Sequence, residues 1–462
     1  MVPFSSGFGG GLLVRVLSLV LALCLMATLA EGEENKHSGS NQLEGINPFP
    51  LDYDSGSMAL YALKSSLDAY DVSTAYQRLT GLSGTAFKFV YDSTEAYEPL
   101  RDLYPMDALA EAATALGFYD AKWVTGKPIG AVKDIIKHEI DSGRPVLAPF
   151  LKADAYRGFF IVTGYDFDRD LLYLQGAFEG DSAYVTVPIP ETWDGPTVSP
   201  AGWATNPVFV IGEAKRLDQK TLEAGKEPVE RAISAMKGGS LPYGLHPGER
   251  AYMGQPGPHE ALYGFPAYDL LSHEIEHREL IDRTDGGAQL DFAFLWRINS
   301  QVGQLEHDRR SARFFAKLLS RELPDEKRAD VSDVMQSLAE TADDAGILRK
   351  FFWHVITDTM TAGDVAGYVK ANTSMVFRLP DVEPLLNELQ ADGFEIFETA
   401  WGWLLVDDTP RKRTLAKTAL RSIIVRERRS LDLLEGIADH IGIKPSGSRP
   451  EGKPRRPPRG KK

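Results

Sequence analysis

Apolar residues recur at helical spacing in several parts of the chain, which predicts amphipathic helices over residues 58–70, 107–116 and 129–140. The same period returns over residues 294–319 and in a final segment, 414–441. Between the early and late helical segments, short apolar and β-branched runs predict strands over residues 145–151, 158–165, 171–175, 185–189 and 208–211. Helices followed by closely spaced strands favour an α+β arrangement rather than alternating βαβ units.

These patterns divide the chain into successive parts. Residues 31–45 are polar and predict a linker, and residues 46–212 carry the mixed pattern of an α+β domain. A connector rich in Gly, Pro and charge follows over residues 213–262, with one short helix predicted near residues 229–236. Residues 263–443 are dominated by helical periodicity, so we expect an all-α helical domain there.

The first 30 residues have the pattern of a signal peptide. Arg15 is their only charged residue, and the apolar run over residues 16–25 is followed by small residues ending at Ala30. The run is about ten residues long, whereas a membrane-spanning helix needs about 20. We therefore expect cleavage near Ala30 and a secreted or periplasmic protein. Cleavage there also removes Cys24, the single cysteine, so the mature chain has no thiol.

Charge is distributed unevenly along the 462 residues, whose formal net charge is −14. Residues 444–462 hold eight Lys or Arg, five Pro and one Glu, a composition typical of a disordered tail. This basic tail is suited to contact with anionic surfaces, including the acidic body of the protein itself. No aromatic residue lies among its basic residues, which argues against specific binding of nucleic acid.

Several short motifs occur in a characteristic order. The series is Asp54-Ser55-Gly56-Ser57 at a predicted helix start, Leu82-Ser83-Gly84-Thr85-Ala86-Phe87, Arg144-Pro145-Val146, and Thr163-Gly164-Tyr165-Asp166. This order resembles the butirosin-biosynthesis acyltransferase N-terminal family, which is similar in turn to the papain-like, bacteriocin-processing cysteine peptidases. Tyr263-Gly264-Phe265-Pro266 and the segment Glu306 to Phe315 look like the second domain that often accompanies it. The resemblance covers most of residues 50–325 and implies a papain-like α+β domain.

The residues for thiol chemistry are absent from the matching positions. Papain-like enzymes need a cysteine thiolate at a helix N-terminus and a histidine that takes its proton. The family's cysteine position falls at or beside Ser57, and its histidine position holds Arg157, Gly158 and Phe159. Ser57 therefore has two interpretations: an N-cap of the helix, or a serine nucleophile in acyl transfer.

Loss of the dyad with retention of the motif order implies a catalytically degenerate protein that uses no cofactor. We expect it to bind a peptide or a small amide-containing ligand in the former active-site cleft. The residues expected to line that cleft are Ser57, Thr85, Phe87 and Phe160.

A separate motif, His273-Glu274-Ile275-Glu276-His277, supports an alternative function as a zinc-dependent hydrolase. Histidines at positions i and i+4 share one helix face and can bind one zinc ion, with Glu274 as the general base. Against this interpretation, the two histidines lie away from the apolar stripe of their helix. A third ligand is also missing nearby, because residues 292–305 contain no His, Asp or Glu.

Overall fold

A computed structural model provides the fold, and all structural statements refer to the residues that it describes. These are residues 39–47, 57–91, 107–152, 156–176, 185–192, 194–196, 203–213, 226–243, 259–282, 288–321, 323, 325–352, 355–356, 362–371, 374–377, 383–399 and 402–440. The predicted signal peptide, residues 1–30, and the basic tail, residues 444–462, lie outside them.

The described residues form eleven α-helices. Their bounds are α1 Met58–Ser66, α2 Tyr76–Ser83, α3 Ala108–Ala115, α4 Ile129–Asp141, α5 Lys226–Lys237, α6 Phe265–His277, α7 Phe292–Leu319, α8 Asp325–Phe352, α9 Ala362–Ala371, α10 Glu383–Ala391 and α11 Pro410–His440. Short 3₁₀ turns follow α1 at Leu67–Tyr70 and α2 at Thr85–Phe87. None of the helices in the described segments is long and apolar enough to cross a bilayer.

Eighteen strands accompany these helices in the described residues. Their bounds are β1 Ser40–Gln42, β2 Val90–Tyr91, β3 Lys122–Val124, β4 Val146–Lys152, β5 Tyr156–Asp166, β6 Leu171–Gln175, β7 Val185–Pro188, β8 Asp194–Pro196, β9 Trp203–Thr205, β10 Val208–Val210, β11 Gly239–Tyr243, β12 His259–Tyr263, β13 Ile281–Asp282, β14 Gln289–Leu290, β15 Val355–Ile356, β16 Ser374–Phe377, β17 Glu395–Thr399 and β18 Gly402–Val406. This mixture of helix and strand confirms the α+β class.

The largest sheet is antiparallel and runs in the order β3-β10-β4-β5-β6-β7, with β1 paired to β5 and β8 to β4 and β9. Successive side chains of β5 point to opposite faces, as strand geometry requires. Phe159 and Ile161 enter a large core together with α1, α2 and α3. Phe160 and Val162 enter a second core, on the face covered by α4. The sheet is therefore buried on both faces along β5.

Helices from the second half of the chain complete the large core. Ala312 and Phe315 of α7, Leu338 of α8 and Leu434 of α11 belong to the same buried cluster as Leu60 of α1. Long helices α7 and α8 pack along each other, and α11 packs on α8. The N-terminal and C-terminal parts of the chain thus share one apolar interior.

The expectation of an all-α segment over residues 263–443 is wrong. Strands β15, β16, β18 and β17 form a four-stranded sheet there, and β13 pairs with β14. These strands are two to five residues long, so they fall below the length at which period-2 alternation stands out between strongly helical segments. The predicted linker, 31–45, also differs from expectation because β1 lies within it and pairs with β5. Its pairing uses backbone groups and leaves its polar side chains exposed.

Candidate functional site

Ser57 is the residue before α1, the helix that packs against β5. Its Oγ accepts the Leu60 backbone N–H at 3.1 Å, which confirms the predicted N-cap. The Ser57 backbone N–H donates to the Tyr76 hydroxyl at 2.6 Å. Helix α1 packs against β5 and buries Ala59, Leu60 and further residues around it. Ser57 is thus a buried and fixed side chain at a helix N-terminus.

Residues 85–90, which follow α2, form a wall next to Ser57; we call this segment the Thr85 wall. Gly84 ends α2 with φ of 80°, a backbone conformation that glycine adopts without strain, and the chain then turns through Thr85. The Thr85 hydroxyl lies 3.0 Å from the Ser83 hydroxyl and 3.2 Å from the Thr80 carbonyl, to which it donates. These bonds hold Thr85 beside Ser57, so the structure brings two of the four predicted site residues together.

Helix α7 supplies the opposite wall of a narrow cleft. Gln304 donates from Nε2 to Oδ1 of Asp308 at 2.7 Å, and both side chains are largely buried. The interior of the cleft is about 10 Å³, which is room for about one water molecule. The residues that line it are Ser57, Thr85, Lys88, Phe89, Val90, Gln301, Gln304, Leu305 and Asp308.

A buried ion pair anchors the Thr85 wall to the helices. Arg309 donates to both carboxylate oxygens of Glu427 at 2.7 Å, and each side chain is 1 % exposed. The same guanidinium donates to the Ala86 carbonyl at 2.7 Å and to the Tyr268 hydroxyl at 3.3 Å. Burial disfavours the charge of Arg309, yet the Glu427 carboxylate keeps its pKa above the ordinary value. Burial, followed by the charge of Glu427, raises the pKa of Tyr268.

The other two predicted site residues lie elsewhere. Phe87 is buried in the large core, with its ring edge-on to Phe315 at a centroid distance of 6.2 Å. Phe160 lies in the second core, on the α4 face of the sheet, and therefore on the side away from α1. Side chains alternate between the two faces of β5, and Phe159 and Ile161 lie on the face that packs against α1, so Phe160 lies on the opposite face. Both predicted aromatic residues contribute to packing.

Sequence reasoning missed the contribution of α7. Gln301, Gln304 and Asp308 follow one another at spacings of three and four residues, so they share one face of the helix. This polar face lies beside the buried apolar positions Val302 and Leu305. Polar residues at helical spacing within an otherwise buried segment are the signal that could have identified the second wall.

The second motif has its two histidines on the solvent face of α6. His273 and His277 are exposed, with ring centroids 4.6 Å apart. Glu274 points the other way: it is buried, accepts a hydrogen bond from the Tyr91 hydroxyl and pairs with Arg278 at 3.3 Å. In the part of the chain that the structure describes, no three His, Cys, Asp or Glu side chains converge as a metal site. The expected general base is therefore turned away from the two expected ligands.

The cleft combines hydroxyl, carboxamide, ammonium and carboxylate groups at the end of a helix. Among the described residues that line it, none is His or Cys, the usual proton acceptor and thiol nucleophile of acyl transfer. Its groups include hydrogen-bond donors and acceptors and one side chain of each charge sign, Lys88 and Asp308. Comparison with known protein families and with curated proteins finds no match for this chain.

Proposed function

We propose that the protein is a catalytically degenerate, papain-like and acyltransferase-like protein that binds a peptide or another amide-containing ligand. The ligand enters at the cleft between Ser57, the Thr85 wall and α7. The observation that carries the proposal is the set of buried polar groups at this cleft, which meet at the N-terminus of a helix packed on an antiparallel sheet.

The chemistry of the walls supports an amide as the recognised group. Gln301 and Gln304 each carry a carboxamide, whose oxygen accepts and whose NH₂ group donates, as the C=O and N–H of a peptide do; one N–H of Gln304 is used by Asp308. The interior holds about one water, so one carbonyl or amide of the ligand enters and the remainder lies outside. A ligand carbonyl or amide that makes the hydrogen bonds a water would make in such a space keeps their enthalpy on binding.

Binding rather than transfer is supported by the state of Ser57. Its Oγ is used as the acceptor of a helix cap, and a serine nucleophile needs an adjacent base to remove its proton. Acyl transfer through Ser57 makes a separate prediction: labelling of this residue by a fluorophosphonate probe.

The test uses the full chain and a pool of N-acetylated, C-amidated di- and tripeptides, with saturation-transfer NMR as the readout. We expect a subset of the pool to bind, and Gln304→Leu to abolish the binding. Gln336→Leu is the matched control, because Gln336 also donates to a carboxylate four residues on, in Glu340 of α8, but is exposed. Failure of every peptide to bind, or equal loss in both variants, would overturn the proposal.

Export and surface contact belong to the same proposal. We propose that residues 1–30 are removed near Ala30 and that the basic tail, residues 444–462, contacts anionic surfaces. Mass spectrometry of the protein from culture medium or periplasm tests the first point, since it should find a chain beginning near residue 31.

A further inference from the structure

A pair of histidines on α6 is separate from the cleft and has its own chemistry. His273 and His277 lie one helical turn apart, both exposed, with ring centroids 4.6 Å apart. When two imidazole nitrogens occupy adjacent coordination positions of one metal ion, each about 2.0–2.1 Å from the ion, the nitrogens are about 3 Å apart. Side-chain rotations bring rings at this separation into such an arrangement without moving the backbone.

We propose that His273 and His277 form a two-histidine chelate for a divalent transition-metal ion on the solvent face of α6. The remaining coordination positions are filled by water or by an external ligand. Imidazole pairs favour Cu²⁺ over Ni²⁺ and Zn²⁺ by the general order of divalent ion affinities. The site is thus an exchangeable surface site rather than a hydrolytic zinc centre.

The neighbouring charges fit this assignment. Glu276 lies beside the pair, but its carboxylate accepts from Lys417 of α11 at 3.0 Å. Asp269, one turn before His273, adds a negative charge at an exposed position. Arg421 of α11 adds a positive charge that interacts electrostatically with Glu276. Opposite charges therefore balance near the pair. Glu274, the general base of the hydrolase interpretation, is held on the buried side by Tyr91 and Arg278.

The experiment is a titration of the full chain with Cu²⁺ at pH 7.5. Calorimetry against a competing chelator gives the affinity, and electron paramagnetic resonance counts the bound nitrogens. We expect one site with two equivalent nitrogen couplings. His273→Ala and His277→Ala should each weaken binding at least about tenfold, because the second imidazole binds intramolecularly.

His138→Ala is the matched control, since His138 is a single exposed histidine near a helix end. It should leave the affinity and the spectrum unchanged. Binding by His277→Ala as tight as that of the unmodified chain would overturn the proposal, as would a spectrum with the same two nitrogen couplings in that variant. Circular dichroism confirms that the variants remain folded, and both changes are at exposed positions. The outcome does not depend on ligand binding at the cleft.

Discussion

Among the described residues, the ion pair of Arg309 with Glu427 should be the most costly single polar contact to break. Replacing Glu427 with Gln keeps the volume of the side chain but leaves the guanidinium without its counter-charge in an interior where both partners are 1 % exposed. Removing one partner of a buried pair costs about 3–5 kcal/mol. At a urea dependence of about 3 kcal/mol per molar, a 3 kcal/mol loss lowers the unfolding midpoint by about 1 M.

The assay is urea unfolding followed by far-ultraviolet circular dichroism, with Asp333→Asn as the control. Asp333 of α8 pairs at 3.2 Å with Arg429 of α11, the helix that also carries Glu427, but both side chains are more than half exposed. Exposed pairs contribute about 0–1 kcal/mol, so the control midpoint should barely move. Equal midpoints for Glu427→Gln and Asp333→Asn would show that the buried ion pair is no more stabilising than the exposed one.

A second readout measures how strongly Arg309 stabilises the Thr85 wall. Because Arg309 donates to the Ala86 carbonyl, Glu427→Gln should accelerate hydrogen exchange of the backbone amides at residues 85–88. The double variant Arg309→Met, Glu427→Leu removes both charges and should recover part of the stability. It leaves the Ala86 carbonyl without this donor, which costs about 1–3 kcal/mol, so fast exchange in this segment should persist.

Two further predictions concern packing and pH. In Gly81→Ala the new Cβ overlaps the Phe315 ring, so the free energy of unfolding in urea should fall by about 1–3 kcal/mol. Gly367→Ala, in open space on α9, is the control and should raise it by about 0.5–1 kcal/mol. Similar changes in both variants would contradict the packing of Gly81 on Phe315. Burial raises the pKa of Asp107, so ionising this carboxyl group destabilises the folded state. The free energy of unfolding should therefore fall as the pH rises above about 4, the ordinary pKa of an aspartic acid. Asp107→Asn still accepts the Ala110 N–H and should flatten the pH dependence of the urea midpoint between pH 4 and 7; a steeper fall with pH would contradict this.

Local patterns were enough to predict most elements of the α+β part. The strand predicted over residues 171–175 coincides with β6, and the helix predicted over 129–140 differs from α4 by one residue. The N-cap at Ser57 was predictable because a capping side chain acts on the backbone three residues ahead. Periodicity and capping both depend on neighbours within a few residues, which is why they can be seen in sequence.

The composition of the site could not be predicted in the same way. Alternation along β5 shows that Phe159 and Phe160 face opposite sides, but only the packed sheet shows which side faces α1. The contact of Arg309 with Glu427 joins residues 118 positions apart, and α7 reaches the cleft from the far half of the chain. Such contacts depend on tertiary packing, which leaves no fixed spacing in the sequence.

Ligand binding at the cleft is tested most directly by a hydrogen-exchange footprint of the full chain with the tightest-binding acetylated peptide amide from the pool. We expect slower exchange in two segments far apart in sequence, residues 85–90 and 301–308, because these form the two walls of the cleft. Gln304→Leu should remove both protections, and Gln336→Leu should retain them. Protection confined to other segments, or unchanged by Gln304→Leu, would contradict the assignment of the cleft as the binding site.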